Sequence, residues 1–389
     1  MQPGAPTAKP FVNAADYGAV GDASCDDTGA LQRAIDAAGP STSPTGGTVA
    51  LPPGRYRLSA SLVLPPAVSL VGAGWNTPGS QVNTFAGSWL FVPAGADWSP
   101  VVARGSGSGV RALAFNVPDQ PSSSNPPEAQ PMLLVTGNNV LVEDVCVYNA
   151  FAGVFLDGGA QVSLRRIWGQ PLAYGIAVDR SQDTNYIDTV HFWPYWAPQA
   201  SIPGRYQLAN ATAIALYRCD NPHLSNIFAY NYARGLSLLA SQAGVPHKVH
   251  LVNADFDRCT TGVHIDAPGR PGSAATLQML NVTVQAPVEE GLEPGHGVWV
   301  EKASSFAMVQ ASNLRVSNPG LCGVSVEADN VNFYGENVSL EGFRGPVGFS
   351  VTSASSYAYL GLGFRASPAG GGRQAAVGPR AQFRLAAST

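Results

Sequence analysis

The 389-residue chain is 45% hydrophobic and only 12% charged, with 43 glycines, 31 prolines and a net charge of −4. That composition supports a large buried core, excludes disordered and collagen-like chains, and demands many turns and few exposed helices. Three lysines (Lys9, Lys248, Lys302) stand against nineteen arginines with no basic tail, which argues against a nucleic-acid partner, and no apolar run reaches the ~18 residues of a membrane-spanning helix.

In chain order, the first ten residues lack a basic start and an apolar stretch. They read as a mature N-terminus carrying an added Met, so a secreted protein whose export signal has been removed is expected. Asp26-Asp27-Thr28 then opens an amphipathic segment that ends at Gly39, which predicts a capping helix over about 28–38. From residue 153 onward a small residue followed by apolar-any-apolar-any recurs eight times, beginning at Gly153, Gly175, Ala213, Gly235, Gly262, Gly297, Gly323 and Gly348. Period-two alternation marks each copy as a strand with one buried face, and the uneven spacing assigns insertions to the turns. Between these strands lies a second pattern centred on Asn226, Asn253, Asn281, Asn313 and Asn337, with Asp144, Arg166 and Thr189 in the same place earlier. Asparagine tolerates left-handed backbone angles, and its amide bonds to neighbours above and below, so a stacked asparagine suits a tight turn repeated coil after coil.

A rung of ~25 residues with short strands and one narrow turn describes an all-β fold, a right-handed parallel β-helix of about ten coils with an N-terminal capping α-helix. A single domain is expected over 1–389: the cap and first coils over about 10–75, the main coils over 76–365, and over 366–389 a lid, an extended strand or a tail. Five widely spaced cysteines (Cys25, Cys146, Cys219, Cys259, Cys322) form no Cys-x-x-Cys pair and indicate neither zinc nor a disulfide framework.

The segments Asp16-Tyr-Gly-Ala-Val-Gly-Asp22, Asp26-Asp-Thr28, Ala34-Ile-Asp36, Gly47-Thr-Val-Ala-Leu-Pro-Pro-Gly54 and Leu70-Val-Gly-Ala-Gly74 resemble the opening of pectate-lyase-superfamily β-helix proteins. The resemblance covers about residues 11 to 75 and implies the fold. The same opening is shared by polysaccharide lyases, family 28-like and other glycoside hydrolases, and phage tailspikes, so it leaves the reaction open.

Along the repeated strands the two apolar positions face inward, leaving the small residue, the middle residue and the fifth residue outward. The middle column includes Ser237, His264, Trp299 and Ser325; the fifth includes Asp157, Asp179, Tyr217, Asp266, Glu301 and Glu327. Asp266, Glu301 and Glu327 fall on three consecutive coils, about 5 to 10 Å apart, the range of glycosidase carboxylate pairs. Asp266, Glu301, Glu327, Asp179 and His264 are therefore the candidate catalytic residues. Trp193, Tyr195, Trp196 and Arg205 in the insertion from His191 to Asn210, with Tyr217 and Trp299, are the candidate substrate-binding residues. A second insertion, Gln285 to His296, adds Glu289, Glu290 and Glu293. The competing readings are that the acids close turns by accepting backbone N–H bonds and that the aromatic run is its loop's own small core.

The expected function is a secreted glycoside hydrolase acting on a polysaccharide. A lyase cleaving a uronate polymer by β-elimination and a non-catalytic, tailspike-like carbohydrate-binding module stay open. Pro294-Gly295-His296-Gly297 resembles the Gly-His-Gly motif of family 28 polygalacturonases, but that family's Asn-Thr-Asp-Gly and Arg-Ile-Lys motifs are absent, so His296 is expected only to end a loop. No metal site and no cofactor are expected, with Ca²⁺ on the acidic column the one open alternative. The expected partner is a polysaccharide, not nucleic acid or membrane, and the expected assembly is a monomer or a side-by-side homotrimer.

Overall fold

The computed structural model describes residues 10–39, 46–78, 85–288, 295–369, 373–377 and 382–385. They fall into two compact units, residues 1–176 with 191–204 and residues 177–190 with 205–389. In each unit the strands wind as coils of a right-handed parallel β-helix. Among the described residues no helix is long and apolar enough to cross a membrane.

In the first unit Leu62–Leu64, Val101–Ala103, Leu133–Val135 and Ala152–Asp157 pair in parallel, with Leu62 opposite Val101, Val101 opposite Leu133 and Leu133 opposite Val154. Helix α1 runs over Thr28–Ala38, as its amphipathic pattern predicts, and buries Leu31 and Ile35 completely. It packs on Phe11–Asn13, Gly47–Leu51 and Leu62–Leu64, closing the strand end that an open solenoid would expose. Its cap differs from the simplest reading. Asp27 turns back to accept from the backbone N–H groups of Val20 and Gly21, while Asp26 Oδ1 accepts from the Thr28 backbone N–H at 3.0 Å.

In the second unit the small-residue pattern forms a ladder through Thr212–Leu216, Arg234–Leu239, Thr261–Asp266, Val298–Val300, Val324–Val326 and Val347–Val351, every neighbour parallel. Val263, Ile265, Val298 and Val300 are buried in the coil interior, the expected inward set. The glycines do not face outward, contrary to simple alternation. A Cβ at Gly262 would collide with the Val284 side chain, and one at Gly297 with Val316, both interior residues. The small residue marks a corner where two strands of one coil approach too closely for a side chain.

The asparagine column is a continuous ladder. Asn226, Asn253, Asn281, Asn313 and Asn337 have φ of 55°, 56°, 55°, 56° and 50°. Each amide donates to the preceding carbonyl oxygen: Asn253 to Asn226 at 3.3 Å, Asn281 to Asn253 at 3.0 Å, Asn313 to Asn281 at 2.9 Å and Asn337 to Asn313 at 2.8 Å. Asp144, Arg166 and Thr189 hold the same left-handed geometry in earlier coils.

The described residues of the C-terminal stretch include two strands: Arg373–Val377 pairs with Val347–Val351, and Gln382–Leu385 with Tyr357–Leu360. Four cysteines are buried, Cys25 is exposed, and none is bridged.

Candidate active site

The second unit brings three of the predicted carboxylates into register. His264 lies opposite Trp299, and Trp299 opposite Ser325. The ladder continues through Glu301 N–H to the Ile265 carbonyl at 2.9 Å and Glu327 N–H to the Val300 carbonyl at 3.0 Å. Asp266, Glu301 and Glu327 therefore stand on successive rungs, spaced along the stack by about 4.8 Å each. All three are half-buried.

Their environments differ. His264 is 3% exposed and its Nε2 lies 2.8 Å from Glu301 Oε2. Burial holds the imidazole below its ordinary 6.5, against the opposing pull of the Glu301 hydrogen bond and with further lowering from the Arg234 charge. A neutral ring paired with a carboxylate donates its Nε2–H, which leaves Nδ1 as a lone-pair acceptor. That Nδ1 is buried with no partner, as are Ser237 Oγ on the rung before it and Trp299 Nε1 on the rung after it. Trp299 packs against two imidazoles, its ring 4.9 Å from His264 and 5.1 Å from His296. His296 is likewise lowered by burial, opposed by the charge of Glu327. Glu327 Oε1 accepts from Ser325 Oγ at 2.9 Å. Asp266 has no side-chain hydrogen bond or ion pair among the described residues.

Other predicted site residues lie elsewhere or are engaged. Asp179 Oδ1 accepts from the backbone N–H groups of Arg180 (2.7 Å) and Arg218 (3.1 Å) and from Ser241 Oγ (2.8 Å), so it closes a turn. Tyr217 is half-buried, its hydroxyl pushed above 10 by burial and then by the Asp179 charge. Arg205 is exposed on helix α2 (Ile202–Asn210), inside what the sequence presents as a loop.

In the first unit Tyr195 and Trp196 are partly buried against a cluster of Trp89, Phe91, Ala114, Cys146 and Tyr148, and Tyr195 Oη lies 3.0 Å from His191 Nδ1. Only Trp193 of the three rings is largely open, 40% exposed. Glu289, Glu290 and Glu293 lie outside the described residues. Among the described residues no group of three or more His, Cys, Asp or Glu side chains is arranged to hold a metal ion.

His296 is more than the end of a loop, since its ring stacks on Trp299. Ser237, Ser325 and Arg234 join the site without having drawn notice as chemistry. Their signal was the middle column itself, in which Ser237, His264, Trp299 and Ser325 are consecutive.

The fold defines the class of the chain, a right-handed parallel β-helix protein. Within it, residues 11–99 match the family described as rhamnogalacturonase A/epimerase, pectate lyase-like. Over 69 residues the chain is 49% identical to mannuronan C5-epimerase AlgE3 of Azotobacter vinelandii, a stretch covering 16% of this chain and 4% of that protein. In structure it is similar to bacteriophage phi29 gene product 12, with a TM-score of 0.65 and 15% identity over 96% of this chain and 51% of that one. It is also similar to the family 28 exopolygalacturonase of Yersinia enterocolitica, with a TM-score of 0.53 and 12% identity over 98% of this chain and 80% of that one. At such identities the structural likeness concerns the fold.

Proposed function

We propose that the chain is a carbohydrate-active enzyme that hydrolyses glycosidic bonds of a polysaccharide on the face carrying Asp266, Glu301 and Glu327. The observation that carries this reading is the in-register carboxylate ladder beside a buried histidine. Neighbouring rungs place Asp266 and Glu301 close to the ~5–5.5 Å separation of retaining glycosidases, whereas Asp266 and Glu327, two rungs apart, fall at the ~9.5 Å limit of inverting ones. Asp266, unpartnered and half-exposed, takes the nucleophile's part. Glu301, one oxygen held by His264, takes the acid and base part, and His264 is its positioning residue.

A polysaccharide substrate places the protein's work outside the cell, as a secreted monomer or homotrimer, and light scattering reads the assembly. The test of function is a panel of neutral and acidic polysaccharides assayed for new reducing ends, with the anomeric configuration of the first product followed by NMR. Retention supports the Asp266–Glu301 pair.

One observation favours a second reading. Arg234 stands close enough to lower His264, and a guanidinium that neutralises a uronate carboxylate suits a β-eliminating lyase. Ultraviolet absorbance from an unsaturated uronate product separates lyase from hydrolase. Binding of glycans with no product of either kind indicates a non-catalytic module.

A further inference from the structure

Away from the carboxylate ladder, the second unit has a surface cavity of about 350 Å³ lined by Arg218, Gln242, Gly244, His247, Arg270 and Ser273 among others. Two tight turns wall it. Ser241 and Gly244 exchange backbone hydrogen bonds at 2.9 and 3.1 Å, and Arg270 and Ser273 do so at 3.2 and 2.8 Å. Gly244, at φ 128°, takes a backbone angle closed to other residues, and a Cβ there would press within 3.2 Å of Arg218 Cδ. The missing side chain gives the arginine its place. His247 donates from Nδ1 to the Ala274 carbonyl at 2.8 Å, so its Nε2 lone pair is turned to the Ser273 hydroxyl at 3.5 Å.

The charge of this cavity is unbalanced. No carboxylate lines it. Asp179 spends its Oδ1 on the backbone N–H groups of Arg180 and Arg218 and on Ser241, and Asp220, two residues from Arg218, lies 3.9 Å from the Lys248 ammonium. Neither Arg218 nor Arg270 has a side-chain hydrogen bond or ion pair among the described residues, and Arg218 Nη1 is buried without an acceptor. Buried guanidinium N–H groups are ordinarily satisfied, and an arginine with an orphaned one that lines a cavity beside a second arginine calls for an anionic acceptor.

We infer that this cavity binds an oxyanion through Arg218 and Arg270, with Gln242 as a further donor. The ligand class is a carboxylate or sulfate carried on a sugar chain, or the corresponding free inorganic ion, since guanidinium forks recognise all of these alike. This inference does not depend on hydrolysis by the carboxylate ladder.

The test is calorimetric titration at low ionic strength with sodium sulfate, with an oligouronate and with a neutral oligosaccharide of equal length. It uses the wild type, Arg218→Ala, Arg270→Ala and, as control, Arg165→Ala, each checked for folding by circular dichroism. Saturable sulfate binding is expected in the wild type and in Arg165→Ala, weakened about tenfold or more in Arg270→Ala and Arg218→Ala. Oligouronate binding tighter than sulfate assigns the site to a sugar-borne anion, and the reverse order assigns it to the free ion. No saturable binding of either anion, equal binding of the neutral oligosaccharide, or unchanged affinity in both alanine variants overturns the inference. Arg270 is exposed, so its variant keeps the test decisive if Arg218→Ala fails to fold.

Discussion

At Glu301 one carboxylate oxygen is held by His264 at 2.8 Å, while Asp266 is free to meet a substrate. That asymmetry gives the two acids different work. Asp266→Asn and Glu301→Gln are each expected to lower turnover by about 10²- to 10⁴-fold, the range of a lost acid or base, with the melting temperature little changed. Single-turnover rates and thermal melts check this together. Asp179→Asn gives the contrasting result, a loss of stability without a specific loss of turnover, because its Oδ1 is spent on the turn at Arg180, Arg218 and Ser241.

The aromatic run divides in the same way. Trp193→Ala is expected to leave stability unchanged and raise KM, whereas Trp196→Ala, which removes a ring packed against the first unit's aromatic cluster, should cost about 3 kcal/mol of stability. Steady-state kinetics and denaturant titration of both variants decide between a platform and a small core.

At the scale of elements, the repeated corner is the most constrained feature. Gly262→Ala forces a methyl group against Val284 and the Gly297 carbonyl and should cost about 1 to 3 kcal/mol, read as a lower urea midpoint. Asn281 separates two contributions. Asn281→Gly keeps the left-handed angle and loses only the amide bonds to Asn253 and Asn313, about 1 kcal/mol, while Asn281→Ala adds about 1 kcal/mol more for the backbone. Equal losses in the two variants contradict the backbone part.

Much of this was legible in the sequence because a parallel ladder repeats the same local requirement on every rung. Small corner residues, alternating valines and a left-handed asparagine therefore recur in phase, and α1 announces itself through its apolar stripe. What stayed hidden lacks such repetition. Helix α2 carries Pro203 and Gly204 and has no apolar stripe, yet proline in a first helical turn loses no hydrogen bond. The C-terminal strands pair through backbone groups that any residue supplies. The site was visible as a column of acids, but alternation cannot tell an acid closing a turn, Asp179, from one left open, Asp266. Nor does it show that His296 and His264 both pack against Trp299.

For the molecule as a whole, buried histidines link stability to pH. His191, His250, His264 and His296 are all lowered from 6.5, in each case by burial first. The unfolded chain then binds protons that the folded one refuses. The stability these groups allow is present in full above about pH 6.5 and falls as pH drops from there toward their lowered folded values. Thermal melts at pH 7.5 and 5.5 should show the lower melting temperature at pH 5.5, and an unchanged or higher one contradicts burial of neutral imidazoles. A charge in the coil interior should be worse than any pH change. Val263→Asp or Ile265→Asp is expected to prevent folding, because neither site offers the carboxylate a partner or water.

The central claim is that the face bearing Asp266 and Glu301 cleaves a polysaccharide. Its most direct measurement is reducing-end release across the polysaccharide panel by the wild type, Asp266→Asn and Glu301→Gln at matched folded concentrations. Release from at least one polysaccharide is expected from the wild type, with at least about a hundredfold less from either variant. Equal release by all three proteins, or none by the wild type from any polysaccharide, would contradict it.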